Sequence, residues 1–225
     1  MKKSILSIVL YSIFNVTYAQ QVRMTNEIFG DNATFGGIKS STGKVLNYGD
    51  ILGSPYLNKE FSNAKTAANN EQVLVRYNSY SDQVEFKKNE DVQVLPKSSE
   101  FSRIEISNPK QVIVLLDTSD ELSGYFFELA NGKNILYKKI KTNFIDFVPA
   151  TNGYVNDKPA TFKTLAPVYY IKTENSLIKK PKNQKDIISQ FPDKKDSLTT
   201  FFKSNKIKFD KEGDLTKLVN FLNQN

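Results

Sequence analysis

The stretch Val112-Ile113-Val114-Leu115-Leu116 is apolar at every position. Successive side chains of a strand point to opposite faces, so a strand built from it needs cover on both sides. The segments before it read differently. Val73, Val75 and Tyr77 fall on one side of a pleat, Val84 and Phe86 alternate with polar residues, a turn at Asn89 to Asp91 leads into Val92 to Leu95, and Ile104 and Ile106 alternate with Arg103 and Glu105. Such strands have one dry and one wet face, the habit of antiparallel sheets. After the central stretch, Tyr125 to Leu129 and Ile135 to Phe147 flank Asn131-Gly132, a strong hairpin signal because both residues tolerate positive φ. The second arm is long, and a kink or bulge is expected in it. A loop rich in Asn, Gly, Asp and Pro spans about Pro149 to Pro159. One more strand follows at Val168 to Lys172, with a short return at Leu177-Ile178. Residues 71–180 therefore read as an antiparallel β-sheet core.

The tail, residues 181–225, switches to helical spacing. Ile187, Ile188 and Phe191 form one stripe; Leu198, Phe201 and Phe202 form a second after Pro192-Asp193. Asp210 is the expected N-cap of a third helix carrying Leu215, Leu218, Val219 and Leu222. Helices this short do not stand alone in water. Their stripes need an acceptor, and the second face of Val112 to Leu116 is the expected one. Residues 20–70 are a strand and loop segment, with pieces such as Asn26 to Phe29 and Lys44 to Tyr48 between turns at Gly36-Gly37 and Gly53-Ser54-Pro55. The fold class that results is α+β. It is an antiparallel β-meander with two to three C-terminal helices packed on it in the same domain; curled and half-barrel forms stay open.

The chain of 225 residues has no Cys, no His and no Trp. That excludes disulfides, thiol nucleophiles, iron–sulfur clusters, serine–histidine triads and nearly all zinc sites. Paired carboxylates, a serine–lysine dyad and oxygen-ligated calcium survive, but neither a calcium-binding loop nor a phosphate loop occurs. No cofactor or metal is expected. Residues 1–19 read as a signal peptide. Lys2 and Lys3 precede the apolar run Ile5 to Phe14, and Thr17 and Ala19 are small residues before a cleavage point ahead of Gln20. The run is too short and interrupted for a good membrane anchor, so no transmembrane span is expected after cleavage. An exported chain without cysteine suggests a bacterial periplasm or the extracellular medium. Asn32-Ala33-Thr34 is then a poor glycan acceptor.

Charge is uneven. Gln20 to Glu174 carries 18 basic and 18 acidic residues, whereas Asn175 to Asn225 carries 11 and 6. The bland reading is the solvated face of amphipathic helices; the sharper one is a site for an anionic surface. Nucleic acid is not expected, since no recognition motif is present.

Candidate sites are few. Four Ser-x-x-Lys matches (Ser41, Ser62, Ser107 and Ser176 at their starts) are no more than Ser and Lys abundance explains, and no partner motif supports them. Asp117, Asp120, Glu121 and Glu128 lie around one turn; a glycosidase would set two acids across a cleft, and a polar turn is the simpler reading. Arg76, Tyr77, Asn78 and Tyr80 gather at a hairpin tip that could hold a ligand. The structural alternative has Tyr77 packing, Asn78 turning the chain and Tyr80 covering the sheet edge. Asp196-Ser197-Leu198 matches a bacterial O-glycosylation acceptor, with Ser197 expected on a helix.

Several segments together carry a resemblance. They are Gly53-Ser54-Pro55-Tyr56-Leu57 with Glu60-Phe61, Val75-Arg76-Tyr77-Asn78 with Val84-Glu85-Phe86, Tyr169-Tyr170-Ile171-Lys172, Phe191-Pro192-Asp193-Lys194-Lys195, and Lys206-Ile207-Lys208-Phe209 before Asp214-Leu215. In that order they resemble an uncharacterised family of small exported proteins of Bacteroidota, from about Gly53 onward. The resemblance implies export and transfers no catalytic residue. The leading functional expectation is a non-enzymatic envelope or extracellular module for binding or structure, with an envelope component or apolar ligand as partner. A carrier of lipid or another apolar ligand is the alternative, and a carboxylate-dependent glycoside hydrolase the second.

Overall fold

The computed structural model describes residues 36–66, 72–88, 91–152 and 154–224. The signal peptide, the strand expected at Asn26 to Phe29 and the Asn32 tripeptide lie outside the described residues. The chain forms two compact units, one running to Gly53 and taking in Ile145–Thr161, the other made of Ser54–Phe144 and Phe162–Asn225.

In the first unit, β1 (Gly37–Lys39) and β2 (Val45–Asn47) form an antiparallel pair. Gly43 turns the chain between them at φ +83°, a conformation open to glycine at little cost. Ile38, Ile51 and Ala160 are its buried apolar residues, and the Leu52 N–H donates to the Ala160 carbonyl.

The second unit is built on a ten-stranded sheet. Its strands are β3 (Ser62–Thr66), β4 (Gln72–Asn78), β5 (Gln83–Lys88), β6 (Asp91–Val94), β7 (Arg103–Ile106), β8 (Gln111–Leu116), β9 (Gly124–Ala130), β10 (Ile135–Lys139), β13 (Val168–Lys172) and β14 (Leu177–Lys179). The order across the sheet is β14-β13-β10-β9-β8-β7-β3-β4-β5-β6, and every neighbouring pair is antiparallel. Two meanders, β4 to β6 and β7 to β10, are thus joined through β3. The long arm expected over Ile135 to Phe147 breaks after Lys139; β11 (Thr142–Ile145) instead pairs with β12 (Thr161–Thr164) outside the large sheet. The expected irregularity is there too, a register shift at Leu136/Tyr137 that brings Ala130 opposite Leu136.

One sheet face carries two apolar clusters. Ala64, Val75, Tyr77, Val84, Ile104, Ile106, Ile113, Tyr125 and Phe127 from strands, with Leu95 from the segment after β6, form the first. Tyr77 on β4 meets Phe127 on β9 edge to face at 5.5 Å between ring centroids, although β8, β7 and β3 lie between those strands in sheet order. The second cluster packs Ala130, Leu136, Tyr169 and Ile171 against three helices: α1 (Gln184–Gln190), α2 (Lys195–Ser204) and α3 (Glu212–Gln224). Leu129 packs on both clusters and links them.

The helical stripes fall where the spacing places them: Ile187, Leu198, Phe201, Phe202, Leu215, Leu218, Val219 and Leu222 are all buried. Asn183 caps α1, its side chain accepting from the Asp186 N–H. Two details differ from expectation. The third helix opens at Glu212, and the Asp210 carboxylate faces Lys211 instead of capping. The helices also settle on β9, β10 and β13, not on β8. The other face of β8 is already covered, because Val114 packs there with Phe126, Tyr137 and Tyr170, and Leu122 folds over them from the β8–β9 loop. The hairpin at Asn131-Gly132 forms with a longer loop than two residues. Gly132 stands at φ +151°, where any Cβ would strike the Asn223 side chain at 2.6 Å. That side chain clips the end of α3 to the loop by accepting from the Asn134 N–H at 2.7 Å. No helix among the described residues is long and apolar enough to cross a membrane.

Candidate functional site

The hairpin tip singled out in the sequence is brought together, but its polar groups face one another. Arg76 projects from β4 toward the segment preceding β3. Its guanidinium lies over Tyr56 at 3.9 Å and over Phe61 at 4.4 Å. Its Nε donates to Glu85 Oε2 at 2.7 Å, and its terminal nitrogens donate to the Tyr56 hydroxyl and the Lys59 carbonyl. Glu85, only 3% exposed, also accepts from Tyr56 and from Asn78 Nδ2. Asn78 turns the chain, its Oδ1 accepting from the N–H groups of Tyr80 and Ser81. Tyr80 packs edge to face on Phe162 at 5.5 Å. The Pro55 carbonyl accepts from both the backbone and the hydroxyl of Ser79. Residues 54–61 therefore form a strap held against β4 and β5 by one buried carboxylate.

A second cluster was not singled out in the sequence. Asp82 sits in the β4–β5 turn at φ +54°, a region that Asp tolerates better than most residues. Its carboxylate accepts from the Tyr77 hydroxyl, Lys97 Nζ and Lys139 Nζ, each at 2.7 Å, and from the Tyr125 N–H at 3.3 Å. It lies so close over Gly124 that a Cβ there would meet it at 1.8 Å, so glycine is required. Lys139 is 4% exposed and donates also to the Tyr125 carbonyl. Burial pulls its pKa down, and the Asp82 charge only partly offsets this. Burial, aided by Asp82, pushes Tyr77 well up and Tyr125 up to about 12. One carboxylate thus ties the β4–β5 turn to β9, β10 and the segment after β6. The Tyr125 hydroxyl and the Ser81 hydroxyl are buried without a hydrogen-bond partner among the described residues.

The acidic turn after β8 is likewise self-engaged. Asp120 Oδ2 accepts from Lys179 Nζ at 2.8 Å and from the Tyr170 hydroxyl at 2.9 Å. Burial raises the Asp120 pKa, but Lys179, Thr118, the Leu122 N–H and Tyr170 together hold it well below the usual range. Glu121 shares Lys179, Asp117 accepts from Ser119 and Ser123, and Glu128 takes a two-pronged bond from Arg103 at 3.0 and 3.1 Å. In none of the four Ser-x-x-Lys segments does the hydroxyl hydrogen-bond to its lysine among the described residues; Ser176, for one, bonds Thr173 and Gln190 while Lys179 holds Asp120. Ser197 lies in the first turn of α2 and donates to the Lys194 carbonyl, and the neighbouring Leu198 is fully buried. No group of three or more acidic side chains that could hold a metal ion occurs among the described residues.

No protein-family model matches the chain, and no curated protein or solved structure shows significant similarity to it.

Proposed function

We propose that the protein is an exported, non-enzymatic module of the bacterial envelope or its surroundings, acting by binding or as a structural part. The observation that supports this best is the mutual saturation of its acids. A general acid needs a carboxyl group whose pKa is raised, and a nucleophile needs one free to reach substrate. Asp82, Glu85 and Asp120 each meet a cation and further donors instead, and both oxygens of Glu128 are taken by Arg103. Export rests on the leader-like first 19 residues and the absence of cysteine.

We also read the large sheet as curled toward a half-barrel. Strands four places apart in a flat sheet stand about 19 Å apart at ordinary spacing. The 5.5 Å contact of Tyr77 with Phe127 favours a sheet that bends back on itself. The interior of that curl is filled: the cavity beside Val75, Tyr77, Ile113 and Phe127 measures about 30 Å³. This is room for about one water, whereas small-molecule pockets run to several hundred Å³. The filled interior speaks for surface binding over carriage of a lipid inside the sheet.

Two measurements test the reading. Expressed in a bacterial host, the full chain should leave the cytoplasm and begin at Gln20 by N-terminal sequencing; retention with an intact leader overturns export. Purified protein should release no product from panels of glycoside, ester and peptide substrates. Turnover abolished by Glu128→Gln or Asp120→Asn would make it an enzyme.

A further inference from the structure

We propose that the groove between β13 and the segment joining α2 to α3 docks an extended acidic polypeptide segment of a partner protein; this deepens the binding-module reading and rests on it. The groove has a volume of about 550 Å³ and is open to solvent. Tyr169, buried, and Val168 and Phe209, half-buried, give it an apolar lining; Lys180 and Lys182 are its exposed cations.

Three observations point to an anionic occupant. First, neither Lys180 nor Lys182 makes an ion pair among the described residues, whereas neighbouring Lys179 is engaged by Asp120 and Glu121. Second, the backbone that carries the first of them is fixed. Lys180 is fixed at φ +49° with its N–H donating to the Tyr169 carbonyl at 2.9 Å, and Pro181 between them is buried. Third, Tyr169 is only 6% exposed, and its hydroxyl makes no hydrogen bond among the described residues. Burial, with the charges of Glu212 and Asp210, keeps that phenol protonated and therefore a donor. Those two acids are themselves countered, Glu212 by Lys138 at 2.7 Å and Asp210 by Lys211 at 3.6 Å. The unmatched charge of the groove is positive, in keeping with the 11 basic against 6 acidic residues of the tail.

The shape narrows the class. A lone inorganic anion would leave the apolar lining unused. A lipid chain gains little from a trough open to water, because its transfer energy depends on the surface removed from solvent. A polypeptide that alternates acidic and apolar side chains uses both elements, placing carboxylates on the lysines and an apolar side chain on Phe209 and Val168.

The test is fluorescence anisotropy with the purified full chain and a labelled octapeptide alternating Glu with Leu and Phe. A matched peptide carries Gln for Glu. The Glu peptide should bind about tenfold more tightly, with affinity falling as salt is raised. Lys180→Glu with Lys182→Glu should remove that preference at an unchanged melting temperature, since both side chains are exposed. Tyr169→Phe should weaken binding about threefold. Equal binding of the two peptides, or indifference to the lysine reversal, overturns the proposal. So does binding of phosphatidylglycerol vesicles by these lysines with no peptide binding. Mass spectrometry of the recovered peptide keeps the two readings apart: a cleaved peptide sinks the non-enzymatic reading and leaves the groove standing.

Discussion

The two apolar clusters on one sheet face are built by opposite means. Under the helices, the roof is supplied by side chains repeating every three or four residues, and its buried members are apolar but for the Tyr169 phenol. In the other cluster no α-helix takes part: strands supply most of the side chains, and Leu95, Phe101 and Ile140 come from the segments between them. Beside it polar groups take over, as Asp82, Lys139, Lys97 and Tyr77 meet at 2.7 Å distances. An apolar stripe needs only a complementary surface, so it can slide and still gain most of its burial energy. A buried ion pair has one workable geometry, because a lone charge left in the interior is far more costly than the pair is favourable. The first half gains stability from area; the second gains register from charge.

Asp82→Asn breaks that contrast most directly. Asparagine tolerates the left-handed turn and keeps hydrogen-bonding atoms, but Lys139 loses its counter-charge while 4% exposed. A loss of about 3 to 5 kcal/mol is expected in urea unfolding. Lys139→Met added to the same chain should restore at least half of it. The pH dependence has a definite sign. The pKa of Lys139 is already lowered by burial and falls further in the variant, so the folded state binds fewer protons than the unfolded one up to about pH 10.4. The penalty must therefore shrink as pH rises. Above about pH 10 it shrinks further, because Asp82 helps keep Tyr77 and Tyr125 protonated in the folded wild type and the variant lacks that help. A pH-independent penalty means that the turn's shape, not its charge, holds it to β9 and β10.

Leu218→Ala probes the other half. The side chain is fully buried under the roof, and its loss should cost about 3 kcal/mol through transfer and cavity terms. Leu129 touches both clusters, so a single transition is expected, with circular dichroism and tyrosine fluorescence coinciding. Helical signal lost ahead of tyrosine fluorescence would mean that the two clusters are separate cores.

This asymmetry explains how much could be read in advance. The helical stripes and the alternating strands carry their periodicity in a few adjacent residues, and the structure buries most of the residues that period selects, leaving Ile188, Phe191, Val73, Phe86 and Val92 half-buried. Which strands would receive the helices was misplaced, because Val112 to Leu116 shows two apolar faces without showing that Leu122, Phe126, Tyr137 and Tyr170 would cover one of them. The Asp82 cluster joins positions 57 residues apart, and no local pattern specifies such a pairing. One trace was present: Lys138 and Lys139 are consecutive in a strand and point to opposite faces, so cover on both faces forces a lysine inside. At the hairpin tip, Arg76, Tyr77, Asn78 and Tyr80 were legible as a cluster. Their partners Glu85 and Tyr56 were not, since a hydrogen bond to a buried carboxylate leaves no mark on spacing.

The smallest expected effect concerns the polar lid over the opposite face. Asp120 joins Lys179 and Tyr170 above the Phe126 cluster, and its carboxyl is held below its usual range, burial being outweighed by those bonds. Between that low value and the ordinary aspartate pKa of about 3.9, the unfolded chain binds the extra proton. The contribution is therefore complete above about pH 4 and is lost as pH falls further. Asp120→Asn should cost about 1 kcal/mol at neutral pH, since the pair is partly solvated. The two stability curves should converge toward acid, where wild-type Asp120 is itself uncharged. Tyr170, pushed up to about 12 by burial and then by Asp120, should ionise at lower pH in the variant. Curves that stay parallel down to the acid limb would show that the β8–β9 loop is held by Leu122 on the aromatic cluster, and that this region too is built from area and not from charge.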